Sequence, residues 1–435
     1  MMPSRGRPAP VARVSLPPKT AAQFSRVLRA LCVLSALTLL ASGRVAAQTL
    51  RPLIVPVPKT AAQPNITASA GILVDAETGT VLWQRNADHR RPVASLTKVM
   101  TALLLLENTQ PDDIITAPAG IASVQESSLH LTDGEQLSAR DLLYAIMLRS
   151  ANDACVAIAH HVAGSVPAFA ELMNARAKRL GCRNTHFTNP NGLPDPNHYS
   201  SAADMARITL AAIRYPAFNT VVSTRSYTLT RTGNPDDTVV VNRSRLLGKF
   251  EGADGVKTGY TRTAGRCFIG SATRRGRRVI CVVLNSRDLW TDAKALLEYG
   301  FSGFQRALLV RAGQRLGSVP VEAGTGDQVP AVAGKDVVCI VPKGVSVLPE
   351  VRIPARSCRA PVTAGHSIGS AEVLVGGRRA AVVPLMAAGS VPELAQGFSG
   401  WRWAAWAAVA FLVSRYAGKN PEGSRRGRRR IKARR

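Results

Sequence analysis

The sequence predicts an α+β fold: an antiparallel sheet flanked by helices, with a helical subdomain between its strands, followed by a small β domain. Three observations carry this. Strand-patterned hairpins lie at both ends of residues 65–306, and the stretch between them has helical periodicity. Beyond about Val310 the composition shifts to Gly, Val and Pro with short strand-like runs. A chain of 435 residues is long enough for one large domain and a smaller one.

Residues 1–47 carry seven Arg/Lys and no acid. Arg26 and Arg29 precede the apolar run Ala30–Ala41, and Val45-Ala46-Ala47 supplies small residues, so 1–47 reads as an export signal cleaved after Ala47. The run is short for a membrane span of about 20 residues. Residues 48–64 are Pro-rich and aperiodic, which marks a linker. A hairpin follows, Gly71–Val74 and Val81–Trp83, turning through Glu77-Thr78-Gly79. Ser95–Leu106 is rich in Met, Ala and Leu and predicts a buried helix. Leu142–Val162 is helical but interrupted around Ser150-Ala151-Asn152. Ala168–Leu180 is an amphipathic helix, and Thr185–Ser201 is a loop thick with Asn, Pro and Gly.

Strand signals return at Thr238–Val241. Arg266–Ala272 and Val279–Leu284 form a second hairpin through Arg274-Arg275-Gly276, and the helical segment Thr291–Tyr299 closes the large domain. In the small β domain, 311–395, the clearest strands are Val337–Val341 and Ala371–Val375. Residues 398–416 contain Trp401, Trp403, Trp406 and the apolar run Trp403–Val413, flanked by Arg402 and Arg415. Trp at an interface with Arg beyond it describes a membrane anchor, and the basic tail 417–435 follows.

The net charge is +28, and more than half of it sits in the two basic ends. The remaining excess makes the folded body basic, which suits an anionic surface or polymer. No nucleic-acid module is present, and the basic runs adjoin apolar segments, so nucleic acid is not an expected partner. Of the seven cysteines, Cys32 leaves with the signal. None of the other six forms a close CxxC pair, so metal binding is not expected, and the motifs imply no organic cofactor. Cys339 and Cys358 share the small domain and could pair in an oxidising compartment; the sequence leaves this open.

Chemistry-bearing residues fall into three short motifs. In Ser95-Leu96-Thr97-Lys98, positions i and i+3 share a helix face, so a hydroxyl meets an amine. The hydroxyl becomes nucleophilic when a base takes its proton, and a lysine serves once burial leaves it neutral. In Ser150-Ala151-Asn152, a hydroxyl can pass a proton to a leaving amine, and an amide can both donate to and accept from a peptide bond. In Lys257-Thr258-Gly259-Tyr260, a cation and a hydroxyl at a strand edge can hold a carboxylate, and Gly259 leaves the strand open to substrate. Each motif alone is weak. Their order, with 55 and 107 residues between first members, is a combination chance rarely supplies.

Together with their flanks, these motifs resemble the D-alanyl-D-alanine carboxypeptidases, the low-molecular-mass penicillin-binding proteins. Pro92–Lys98 looks like that family's first box and Ser150–Ala154 like its second. Asp254–Thr261 is similar to the third. Asn184–Leu193 resembles a family loop, with Asn191 where His is common. The likeness covers about Ile66–Phe304 and implies a penicillin-binding, β-lactamase-like fold. It also implies roles: Ser95 as nucleophile, Lys98 as base and Ser150 as proton relay. Asn152 would bind the substrate backbone, and Lys257 and Thr258 the terminal carboxylate. The N–H groups of Ser95 and Tyr260 would form the oxyanion hole. The implied partners are peptidoglycan stem peptides, and β-lactams as covalent inhibitors. The implied location is the outer face of the cell membrane.

Alternatives are a DD-endopeptidase that cuts cross-links, a non-catalytic wall-binding scaffold, and a class A β-lactamase. The last would need a deacylating Glu between the second and third boxes, where only Glu171 and Glu251 occur. A hydrolase elbow at Gly365-His366-Ser367-Ile368-Gly369 is disfavoured, because a strand rather than a helix is expected after the serine.

Overall fold

The computed structural model describes residues 63–124, 126–354, 357–394 and 400–417. The export signal, residues 48–62 and the tail beyond Ala417 lie outside them. The chain divides into two compact units, the first ending at Ser302 and the second beginning at Gly303.

The first unit opens on a hairpin of β1 (Ala70–Asp75) and β2 (Val81–Arg85). Asp75 shapes the turn, accepting the N–H and hydroxyl of Thr78 at 3.0 and 2.9 Å. A 3₁₀ turn, Ala94–Thr97, then leads into α1 (Lys98–Asn108). Ser95 thus lies in a tight turn before the helix rather than within a helix running from 95 to 106. Ala94 enters this turn at φ +48°, outside helical geometry. Next come β3 (Ile114–Thr116), β4 (Gln136–Ser138) and α2 (Ala139–Tyr144), which continues as a π turn, Ala145–Arg149. The expected interruption falls here: Ser150 adopts φ +70°, and α3 (Asn152–Ala163) starts afresh.

Two further helices are capped by serine hydroxyls. Ser165 accepts from the N–H of Ala168 at the start of α4 (Val166–Arg179), and Ser201 from that of Asp204 at the start of α5 (Ala202–Ala212). After α6 (Pro216–Ser223), β5 (Ser226–Thr228) and β6 (Val239–Val241) pair as a separate two-stranded ribbon. The strand expected at 238–241 is therefore not part of the main sheet. The third-box strand β7 (Ala253–Thr261), β8 (Gly265–Arg274), β9 (Arg277–Ser286) and α7 (Leu289–Gly303) complete the unit. The main sheet has order β2-β1-β9-β8-β7 and is antiparallel throughout. Its core side chains include Ile72, Val282 and Ile269, with Leu103, Phe169 and Met205 from the helices, all fully buried. Such residues contribute about 1.5–3 kcal/mol each by leaving water.

The second unit contains β10 (Phe304–Val310), β11 (Arg315–Glu322), β12 (Gln328–Ala333), β13 (Val337–Pro342), β14 (Glu350–Arg352), β15 (Cys358–Arg359), β16 (Ser367–Val375) and β17 (Arg378–Ala387). β10 pairs with β13, and the others form a six-stranded sheet of order β14-β16-β17-β12-β11-β15. Residues 304–310, which the sequence split between the large domain and its boundary, thus form a strand of this unit. Val329, Ala371, Val373 and Val383 form its core. Ser367 opens β16, so a strand follows it as expected. Cys339, on β13, and Cys358, on β15, are both free, as are the other described cysteines. The last helix, α8 (Gly400–Ala417), is exposed over residues 404–415, with Trp406 72% and Phe411 63% accessible. Among the described residues no single helix is long and apolar enough to cross a membrane.

Candidate active site

Ser95 sits three residues before Lys98, in the 3₁₀ turn that precedes α1. In such a turn i and i+3 eclipse one another, and the Nζ of Lys98 lies 3.0 Å from the Oγ of Ser95. Lys98 is fully buried. Its Nζ also donates to the Oδ1 of Asn152 at 2.7 Å and to the backbone carbonyl of Asn191 at 2.8 Å. A neutral amine has two N–H bonds and one lone pair. The ammonium form gives one N–H to each of its three partners, Ser95 included; once deprotonated, the amine keeps both N–H bonds on Asn152 and Asn191 and turns its lone pair to the serine hydroxyl. Burial lowers the Lys98 pKa to about 8, and the nearby Arg243 cation adds to this.

Ser150 and Asn152 arrive from the break between the π turn and α3. Both are buried, and both line the same cleft as Ser95. The backbone there is tied to the opposite wall: the N–H of Asn152 donates to the carbonyl of Ser127 at 2.7 Å. The neighbouring Asp153 accepts the N–H groups of Leu129 and Leu131, each at 3.0 Å.

The third motif lies on β7, an edge strand of the main sheet, so its outer backbone groups are open to a peptide. Thr258, Gly259 and Tyr260 line the cleft, and Tyr260 is 65% exposed. Gly259 is required by close approach: a Cβ there would sit 3.1 Å from the nitrogen of Ser95 and 3.2 Å from the Cβ of Ala94. Glycine lets the strand press against the turn that carries Ser95. Lys257 lies beneath the cleft rather than on its surface. Its Nζ donates to the Thr258 carbonyl at 3.2 Å. Burial, then the neighbouring Lys98 and Arg243, hold its pKa well below the ordinary lysine value. Two buried amines this close do not both carry protons easily.

The structure thus brings Ser95, Lys98, Ser150, Asn152, Lys257, Thr258 and Tyr260 to one cleft of about 1230 Å³. Glu171 and Glu251 are exposed and do not line it. Glu126 does, but it precedes the second box.

Sequence reasoning missed three contributors. His198 is buried, with its Nε2 2.9 Å from the Oγ1 of Thr97. Its Nδ1 accepts the N–H of Thr188 at 3.2 Å, so Nε2 carries the hydrogen and donates to Thr97. Burial lowers its pKa to about 4, which keeps it neutral. The second is the carbonyl of Asn191; the loop was read for its side chains, whereas its backbone supports the lysine. Gly192 follows with φ +86°, where any side chain would collide with the carbonyl of Ala94. The third is Arg243, which donates to the Oγ of Ser127 at 3.1 Å and lines the cleft. The Asn242-Arg243 pair after a strand carried no motif that would have singled it out.

Residues 57–288 match the D-alanyl-D-alanine carboxypeptidase family, and residues 304–393 match the C-terminal domain of penicillin-binding protein 5. D-alanyl-D-alanine carboxypeptidase DacA of Haemophilus influenzae is 33% identical over 356 residues, covering 78% of this chain and 89% of that protein. DacF of Bacillus subtilis is 30% identical, covering 77% and 90%. The crystal structure of penicillin binding protein 5 from Haemophilus influenzae superposes with TM-score 0.65 at 32% identity, covering 76% of this chain and 99% of that one. With both of its units matched and a serine and a buried lysine in contact at its cleft, the chain belongs to the D-alanyl-D-alanine carboxypeptidase family of low-molecular-mass penicillin-binding proteins.

Proposed function

We propose that this protein removes the terminal D-alanine from peptidoglycan stem peptides through an acyl-serine intermediate on Ser95. The contact that carries this reading is that of Ser95 with Lys98, whose N–H bonds are already engaged. Lys98 takes the proton as Ser95 Oγ attacks the carbonyl between the two D-alanines. The resulting oxyanion is held by the N–H groups of Ser95 and Tyr260, a type of contact worth about 3–4 kcal/mol per donor. Asn152 holds both Lys98 and the substrate backbone. Thr258 binds the terminal carboxylate, and the negative charge of that carboxylate draws a proton onto the Lys257 amine below it. Ser150 relays a proton to the departing amine, and water then hydrolyses the ester. A β-lactam enters the same route, and its ester is slow to leave.

The same reading includes export by residues 1–47 and anchoring by 398–416 at the outer face of the cell membrane. Release of D-alanine from diacetyl-Lys-D-Ala-D-Ala, absent in Ser95→Ala, is the expected result. A variant without Ser95 that retained hydrolysis would refute the assignment.

A further inference from the structure

Four arginines, Arg243, Arg245, Arg262 and Arg266, line the catalytic cleft. Among the described residues none of them pairs with a carboxylate. Elsewhere in the same unit arginines do: Arg176 with Glu107 at 2.6 Å, Arg231 with Glu135 at 2.8 Å and Arg277 with Asp75 at 3.1 Å. The cleft also has two exposed acids, Glu126 and Asp288, so its lining remains net positive.

The arginines are not spread evenly. Arg262 opens the turn between β7 and β8 and Arg266 lies on β8 just after it, both at the Tyr260 end of β7. Arg266 is the cross-strand partner of Tyr260, so both side chains project from one face of the sheet. Arg266 is steadied by donating to the carbonyl of Arg287 at 3.3 Å, and Trp290 stands at the same end of the cleft. A peptide lying antiparallel to β7, with its terminal carboxylate at Thr258 and its scissile carbonyl at the Tyr260 N–H, runs upstream toward Arg262. β7 ends at Thr261, so Arg262 is the first residue of the turn beyond it, two positions past Tyr260 in that upstream direction. An arginine side chain can reach the residue that precedes the D-alanyl-D-alanine pair.

We propose that Arg262 and Arg266 form a specificity site for substrates bearing a free carboxylate on the residue just upstream of D-alanyl-D-alanine. This rests on the carboxypeptidase reading and adds to it which stem peptides are preferred. Guanidinium groups meet carboxylates in bidentate fashion, which suits an anionic side chain over its amide.

The test compares Nα-acetyl-L-Glu-D-Ala-D-Ala with Nα-acetyl-L-Gln-D-Ala-D-Ala on the purified full chain, with penicillin acylation reporting that each variant is folded. The glutamate peptide is expected to have a kcat/KM on the order of fivefold higher, as exposed ion pairs allow. The ratio should fall to about one in the double variant Arg262→Gln/Arg266→Gln. In the unmodified protein it should shrink as salt is raised. Equal rates on the two peptides, a preference that survives the double substitution, or one indifferent to salt would each overturn the proposal. Penicillin acylation with hydrolysis of neither peptide would remove the carboxypeptidase reading itself, and the proposal with it.

Discussion

At the scale of single residues, the proposed chemistry depends on whether Lys98 can accept a proton. Burial, which costs the charged form its hydration, lowers its pKa to about 8. A base must be unprotonated to act, so the rate of penicillin acylation should rise with pH and level off above about 8. A rate already flat from pH 6 upward would show that another group takes the proton. Lys98→Arg keeps the charge but cannot deprotonate, and should slow acylation by about 10²–10⁴-fold with the fold intact. The side chains of the site were the most legible part of the sequence, because SxxK, SxN and KTG impose type and order. Burial is what the motifs did not reveal. Nothing in Lys257-Thr258-Gly259 says that the amine lies beneath the cleft while the hydroxyl lines it. His198 went unread because its role comes from being enclosed between Thr97 and Thr188, 101 residues and 10 residues away in sequence.

At the scale of elements, function rests on a 3₁₀ turn pressed against an edge strand. Gly259 permits that approach. Gly259→Ala should push β7 away from the Ser95 N–H and cut the acylation rate by about a hundredfold, comparable to loss of one oxyanion donor. Melting behaviour near that of the parent would separate this from misfolding; an unchanged acylation rate would contradict the geometry. The opposite wall is held by a buried pair, Arg231 with Glu135, both side chains fully enclosed. Arg231 also donates to the carbonyls of Leu129 and Asp237. Glu135→Ala removes the buried partner of that guanidinium, leaving it only Asp237 at 3.9 Å, and should cost about 3 kcal/mol, read as a lower urea midpoint.

The hairpins β1–β2 and β8–β9 were visible from alternation and turn residues. The 3₁₀ and π turns on either side of the site were not, since each is only about one turn long and too short to show a period of its own beside the helix it adjoins. The strand at Val239–Val241 was recognised from its run of valines, but its equally short partner, Ser226–Thr228, reads Ser-Tyr-Thr and has no apolar run to signal it.

At the scale of the whole molecule, two compact units correspond to the change in composition near Val310, with the boundary at Ser302–Gly303. The difference is β10, whose pairing with β13 is a non-local contact that composition cannot record. The apolar surface of α8, exposed at Trp406, Val409, Phe411 and Leu412, has the character of a membrane-facing segment. Removing residues 398–435 should release the signal-processed protein into the soluble fraction. Full membrane association after that truncation would contradict the proposed anchor.

The central claim is that Ser95 is the acylated nucleophile. Peptide-level mass spectrometry of the purified protein after incubation with penicillin tests it most directly. The account predicts one penicilloyl group, on the peptide containing Ser95 and on that residue. No adduct, or an adduct on another side chain, would contradict it.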